Sequence, residues 1–178
     1  MRQDIDQILI AEEAICVRLD AMAEEIQRDF RAEGMVVMVL LKGAMVFAAD
    51  LTRRIPHVME IESLRVASYH GGTESSGRVD FLDAKLPDVR GKQVLVLDDI
   101  LDTGRTLRAV VDRLEAEGAR SVKTGVLLAK ERKRDAMVEA NYVGFHIKDE
   151  FVVGYGLDYR ERYRNLPFIG TLKNSVVA

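Results

Sequence analysis

Asp98 and Asp99 stand side by side at the end of the apolar stretch VLVL, and Asp102-Thr103-Gly104-Arg105-Thr106 follows just before a new amphipathic run. The free backbone N–H groups of a helix start, with the positive end of the helix dipole, make an anion site. Gly104 lets the backbone approach a phosphate closely, and the hydroxyls of Thr103 and Thr106 can donate to its oxygens. Two carboxylates beside such a nest repel phosphate, so they serve something else: vicinal ribose hydroxyls, or Mg2+ bound to them. For Thr103 taken alone, a plain helix N-cap is an equal reading.

The elements that must hold these residues follow from hydrophobic spacing. Ile15, Leu19, Met22, Ile26 and Phe30 recur at three- and four-residue steps and predict a helix with one buried face, capped by Gly34. MVVMVLL at 35–41 is a continuous apolar run, as expected of a strand covered on both faces. A turn at 41–43 leads into a second helix, AMVFAADLTRRI, which stops before Pro56. Further strands are expected at 58–69, 94–99, 121–129 and 151–156. A helix carrying Leu107, Val110, Val111 and Leu114 on one face is expected to end at Gly118. The segment 70–78 is polar and has no periodicity. Alternating strands and helices with continuously apolar strands predict an α/β fold, a parallel sheet flanked by helices. In such sheets ligands bind beyond the carboxyl ends of the strands, where the acids and the phosphate loop fall. No internal repeat or linker divides the chain, so residues 1–178 are read as a single domain.

The stretch from 94 to 107 closely resembles the phosphoribosyl pyrophosphate (PRPP) motif of type I phosphoribosyltransferases: apolar strand, two acids, two apolar residues, Asp, Thr, Gly, any residue, Thr. The letters DDILD also match the DDxxD motif of prenyl transferases, but that motif lies on a helix and occurs twice, whereas here it occurs once and is followed by TGRT. The resemblance implies the type I phosphoribosyltransferase fold, with a small hood built from the terminal segments. It implies that Asp98 and Asp99 face the ribose hydroxyls, that residues Asp102 to Thr106, Gly104 and Arg105 included, hold the 5′-phosphate, and that Asp102 is the general base or acid at the purine. Asp98 stands where many members have Glu.

Four further regions resemble the hypoxanthine-guanine branch. Lys42 and Gly43 look like a pyrophosphate loop, in which the bond between residues 41 and 42 is often cis. Ser68 and Tyr69 resemble the start of a lid that keeps water from a cationic sugar centre. Lys130 resembles the lysine that donates to the purine 6-oxo group and so disfavours adenine. EFVVGYGLDYRERYRNLPFIGTL at 150–172 implies Phe151 stacking on the base, Val152 pairing with it through the backbone, Asp158 binding Mg2+ and Arg164 meeting pyrophosphate. The implied function is transfer of the phosphoribosyl group from PRPP to a 6-oxopurine base with Mg2+ as cofactor, by a homodimer or homotetramer. Xanthine-guanine and uracil enzymes, and a PRPP-sensing regulator on the same fold, are the alternatives.

Bulk composition agrees with a soluble enzyme. Lys plus Arg number 26 against 29 acids, a net charge of −3, so no general attraction for nucleic acid or an anionic membrane is expected. The single cysteine, Cys16, permits no intrachain disulfide, and the early acids of MRQDIDQILI do not read as a secretory signal, so a cytoplasmic location is expected.

Overall fold

The computed structural model describes residues 1–30, 34–68, 79–83, 86–132, 135–136 and 138–177. The run MVVMVLL forms strand β2 (Met35–Leu41), and its burial shows why it carries no polar residue. Val37 and Val39 face one core with helices α1 (Glu12–Asp29) and α2 (Met45–Thr52), while Val36, Met38 and Leu40 face another with helix α3 (Arg105–Ala116). The adjacent strand β5 (Gln93–Leu101) alternates in the same way, Leu95 and Leu97 against Val94 and Val96.

Beside these two lie β3 (Met59–Ser68), β6 (Ser121–Lys130), β7 (Tyr142–Ile147) and the short β4 (Val79–Phe81). The sheet order is β4-β3-β2-β5-β6-β7, parallel throughout except for β4, which runs antiparallel at one edge. From β2 the chain steps outward to β3, and from β5 outward the other way to β6. The crevice between the ends of β2 and β5 is therefore the switch point at which such sheets bind ligands.

The α1 face reads as expected, with Ile15, Leu19, Met22 and Ile26 fully buried. Its end does not: Phe30 is the C-cap in extended conformation, and Gly34 (φ +97°) leads into β2 instead of capping the helix. The second helix is shorter than its sequence pattern, because the chain turns at Arg53 and Arg54 ahead of Pro56. No continuous strand forms over 151–156, where positive φ at Gly154, Tyr155 and Gly156 breaks the extended run. That segment instead bridges Val153 to Gly170.

The terminal segments meet in a separate antiparallel pair, β1 (Ile5–Ile10) with β8 (Ile169–Leu172), followed by the short α4 (Asn174–Val177). Val153, Tyr163, Leu166, Phe168 and Leu172 form a small core beneath this hood. Two side-chain contacts anchor the surrounding chain, Tyr155 Oη donating to Asp50 of α2 and Tyr163 Oη to Asp4. Among the described residues, no helix is long and apolar enough to cross a membrane.

One charged side chain secures the sheet edge. Arg18 of α1 donates from Nη2 to Val143 O (2.7 Å) and from Nε to Gly144 O (3.0 Å), and its Nη1 pairs with Glu25 (2.8 Å). These carbonyls lie on β7, an outer strand of the sheet, and the guanidinium supplies donors from the helix side. Arg18→Met keeps the packing stem but leaves partly buried acceptors unpaired, so unfolding free energy in urea is expected to fall by about 1–3 kcal/mol. An unchanged urea midpoint would show that water replaces the guanidinium without loss.

Candidate active site

β5 carries its two acids inside the strand, not at its end: the ladder continues through Ile100 and Leu101 to partners in β6. The turn that follows is bound from behind, with Asp135 N and Ala136 N both donating to Thr103 O, at 3.0 and 3.2 Å. Gly104 opens α3 in the left-handed region (φ +82°), and a β-carbon there would lie 2.7 Å from Val138 Cγ1. The left-handed φ and the close approach of Val138 and Ala136 both favour glycine here. Gly104 is the N-cap and has no side chain to cap with, while Arg105 N donates a long hydrogen bond (3.5 Å) to Thr103 Oγ1. Thr103 and Thr106 line the cleft, whereas the Arg105 guanidinium turns to Asp135 (3.0 Å) and is not part of the lining.

The cleft has a volume of about 390 Å³ and runs from this turn to the loop after β2. The Leu41–Lys42 peptide bond, which the sequence left open, is cis. Gly43 touches the acids directly: a β-carbon there would fall 1.6 Å from Asp99 Oδ2. On the other side of the same loop a β-carbon on Gly156 would lie 2.1 Å from Gly43 O. Two glycines thus let β5, the pyrophosphate-like loop and the hood segment meet at backbone distance.

Asp98 and Asp99 form the cleft floor, partly reached by solvent yet densely surrounded. Burial, together with the neighbouring charge of Asp99, pushes the Asp98 carboxyl well above the ordinary value. Burial raises Asp99 too, opposed by the proton shared from Asp98, by backbone N–H groups and by the charge of Arg164. Both carboxyls are thus less readily ionised than free ones, and each favours a partner that offsets its charge. Hydroxyl donors or a divalent cation suit such a pair, because either relieves the repulsion.

On the hood side Arg164 spans the cleft wall, donating from Nη1 to Gly156 O (2.7 Å) and pairing through Nη2 with Asp158 (2.7 Å) and Glu161 (3.3 Å). Its buried Nε has no hydrogen-bond partner. Glu161 also meets Lys42 (3.2 Å), an acid that sequence reasoning passed over. Positive φ at Arg160, Glu161 and Tyr163 folds the DYRERYR segment tightly enough to bring it there.

The far end of the site gathers around Asp102. Lys130, only 13% exposed, ends β6, with its Nζ 3.7 Å from Asp102 and 3.0 Å from Asp149. Arg132 pairs with Asp102 at 3.0 Å and with Asp149 at 3.4 Å. Neither Arg132 nor Asp149 was singled out from sequence. Phe151 is exposed and meets Tyr159 edge-on at 5.7 Å, while Val152 is buried. Lys130, Phe151 and Val152 lie outside the cleft lining, and Lys130 connects to it through Asp102. Ser68 closes β3, but Tyr69 and the remaining lid segment lie outside the described residues.

Residues 5–160 match the family model described as Phosphoribosyl transferase domain. A hypoxanthine-guanine phosphoribosyltransferase of Staphylococcus epidermidis is 45% identical over 176 residues, covering 99% of this chain and 98% of the relative. The solved structure of a Staphylococcus aureus hypoxanthine phosphoribosyltransferase superposes with a TM-score of 0.94 at 42% identity, over 100% of this chain and 97% of that one. A hypoxanthine-guanine phosphoribosyltransferase of Bacillus anthracis, with a HEPES molecule in its active site, gives 0.89 at 41% identity over 95% and 99%. With a switch-point cleft, paired acids and a glycine-opened helix in the family's register, the chain belongs to the phosphoribosyltransferase family, in its hypoxanthine-guanine branch.

Proposed function

We propose that this protein transfers the 5-phosphoribosyl group of PRPP to N9 of hypoxanthine or guanine, releasing pyrophosphate. The observation that carries this reading is one cleft lined by the paired acids, the Thr103–Thr106 turn, the Lys42–Gly43 loop and the Asp158–Arg164 pair. The 5′-phosphate sits in the turn at the start of α3, met by backbone N–H groups of 103–106 and by the two threonine hydroxyls. Asp98 and Asp99 accept from the ribose hydroxyls. Lys42, the Gly43 backbone and Arg164 hold the pyrophosphate, and the unpartnered Arg164 Nε is a donor awaiting such an oxygen.

The donor set fits Mg2+: Asp158, with Asp98 and Asp99 nearby, offers hard carboxylate oxygens. Among the described residues no cluster of three ligating side chains exists. That suits an ion that takes one or two carboxylates and completes its shell with water and substrate phosphate. When bound it neutralises charge on the departing pyrophosphate. At the anomeric carbon the bond to pyrophosphate oxygen breaks and the bond to N9 forms. Asp102 exchanges a proton with the purine at N7, and its charge stabilises the positive sugar as it develops. Lys130 donates to the 6-oxo group, Phe151 stacks on the ring and Val152 pairs with it through the backbone. Ser68 and Tyr69 begin the lid. The residues form a single domain, which assembles as a homodimer or homotetramer; the exposed apolar side chains of Met45, Val58 and Ile61 support assembly.

Pyrophosphate release with PRPP and Mg2+ tests the reading, with hypoxanthine, guanine, xanthine, adenine and uracil supplied separately. Turnover is expected with hypoxanthine or guanine and is expected to vanish with a chelator. Turnover confined to xanthine or uracil would move the substrate. PRPP binding without turnover on any base would identify a regulator. Asp102→Asn is expected to keep PRPP affinity within a few-fold while turnover drops by about 10² to 10⁴, the usual worth of acid–base help; turnover equal to the parent's would remove Asp102 from the mechanism. Gly43→Ala forces the Asp99 carboxylate aside, and a displacement of that size is expected to lower kcat/KM for PRPP by about 10²-fold. Retained kcat/KM would mean that the loop yields in place of the acid.

A further inference from the structure

Asp149 follows β7, whose last residue Ile147 is paired with Lys130, and Glu131 N extends the ladder by donating to Ile147 O (2.8 Å). The extended pairing brings Asp149 beside the head of Lys130. The result is a closed quartet of two cations and two acids: Lys130 to Asp149 at 3.0 Å, Asp149 to Arg132 at 3.4 Å, Arg132 to Asp102 at 3.0 Å, and Asp102 to Lys130 at 3.7 Å. Its longest side is the contact between the two residues that the proposed reaction uses. Asp149 takes the nearer hydrogen bond of Lys130, which holds the Asp149 carboxyl below its ordinary value.

We infer that Asp149 is a positioning residue for base recognition, holding the head of Lys130 off Asp102 (3.7 Å), which keeps Arg132 as its closer partner (3.0 Å). Lys130 is then directed toward the 6-oxo group while Asp102 keeps acceptor capacity for the purine proton. This rests on the reading of Lys130 and Asp102 given above. An ammonium has three donors. With one committed to Asp149, it meets the base in a defined direction. Without Asp149 the quartet becomes two cations on one carboxylate: Lys130 joins Arg132 on Asp102 and occupies the lone pairs that the base must reach. A merely structural ion pair on a residue 45% exposed would contribute little to either function.

The test compares Asp149→Asn, Asp149→Glu, the double variant Asp149→Asn/Arg132→Met and Lys130→Ala in the full-length protein with PRPP and Mg2+. Asp149→Asn is expected to lower kcat on hypoxanthine by about tenfold, the scale of coupling between charges in contact, with KM for PRPP and the thermal midpoint little changed. Asp149→Glu is expected to recover most of the loss. Removing Arg132 in the double variant restores charge balance and is expected to recover kcat over Asp149→Asn alone. Parental kcat in Asp149→Asn, or a double variant no better than the single one, overturns the role of Asp149. Lys130→Ala separates the two levels. If it leaves the preference for oxo bases over adenine unchanged, the reading of Lys130 falls and this inference with it. If it shifts the preference while Asp149→Asn changes nothing, only Asp149 loses its part.

Discussion

Asp99 lies so close to the backbone of Gly43 that a β-carbon there would fall 1.6 Å from its Oδ2, and the cleft is organised by that contact. It fixes the distance between β2 and β5 at their carboxyl ends, the switch point of the sheet. It also sets the pyrophosphate-like loop against the acid pair, so substrate groups held by the two elements become neighbours without help from long side chains. Gly156 repeats the device from the hood side, where a β-carbon would stand 2.1 Å from Gly43 O. Three chain segments far apart in sequence thus converge on one residue that can carry no side chain.

The same closeness explains the electrostatics. Two carboxylates on adjacent residues of a largely buried strand repel each other, and burial pushes both upward. A fold built for stability alone would place an apolar residue there. The cost is accepted where a ligand supplies the missing partners, as hydroxyls and a divalent cation do. The strain is confined, because β5 continues its ladder past the acids to Leu101 and so keeps the backbone beneath them regular.

Sequence spacing revealed the central layer and the chemistry at its edge. The apolar runs of β2 and β5 are continuous because both faces are covered, and that pattern is unambiguous. The hood was less legible. β1 is mostly exposed and shows no alternation, and β8 is four residues long. The stretch 151–156 looks like a strand by composition, yet three consecutive positive φ angles turn it into a series of bridges. Only Gly154 and Gly156 signal that conformation in advance, and Tyr155 adopts it because its ring is buried and its hydroxyl is held by Asp50. Asp149, Arg132 and Glu161 were hidden for a different reason. Each is a charged residue in a polar stretch; the partners of Asp149 and Arg132 lie on other segments, and Glu161 joins the local Arg164 to the distant Lys42.

The two acids among them share a pattern. Each cation assigned to a substrate is already matched by a carboxylate of the chain: Lys42 and Arg164 by Glu161, Arg164 also by Asp158, and Lys130 by Asp149. Most of these acids are well exposed, Glu161 at 65%. Exposed pairs contribute only about 0–1 kcal/mol each, so a phosphate oxygen that took the place of Glu161 would cost the fold little. The desolvated cation is different, because an arginine or lysine left without a partner in a partly buried cleft is expensive. Internal counter-ions keep those heads oriented toward the cleft and neutral in sum. With such counter-ions the site can be preorganised for an anionic substrate without carrying uncompensated positive charge.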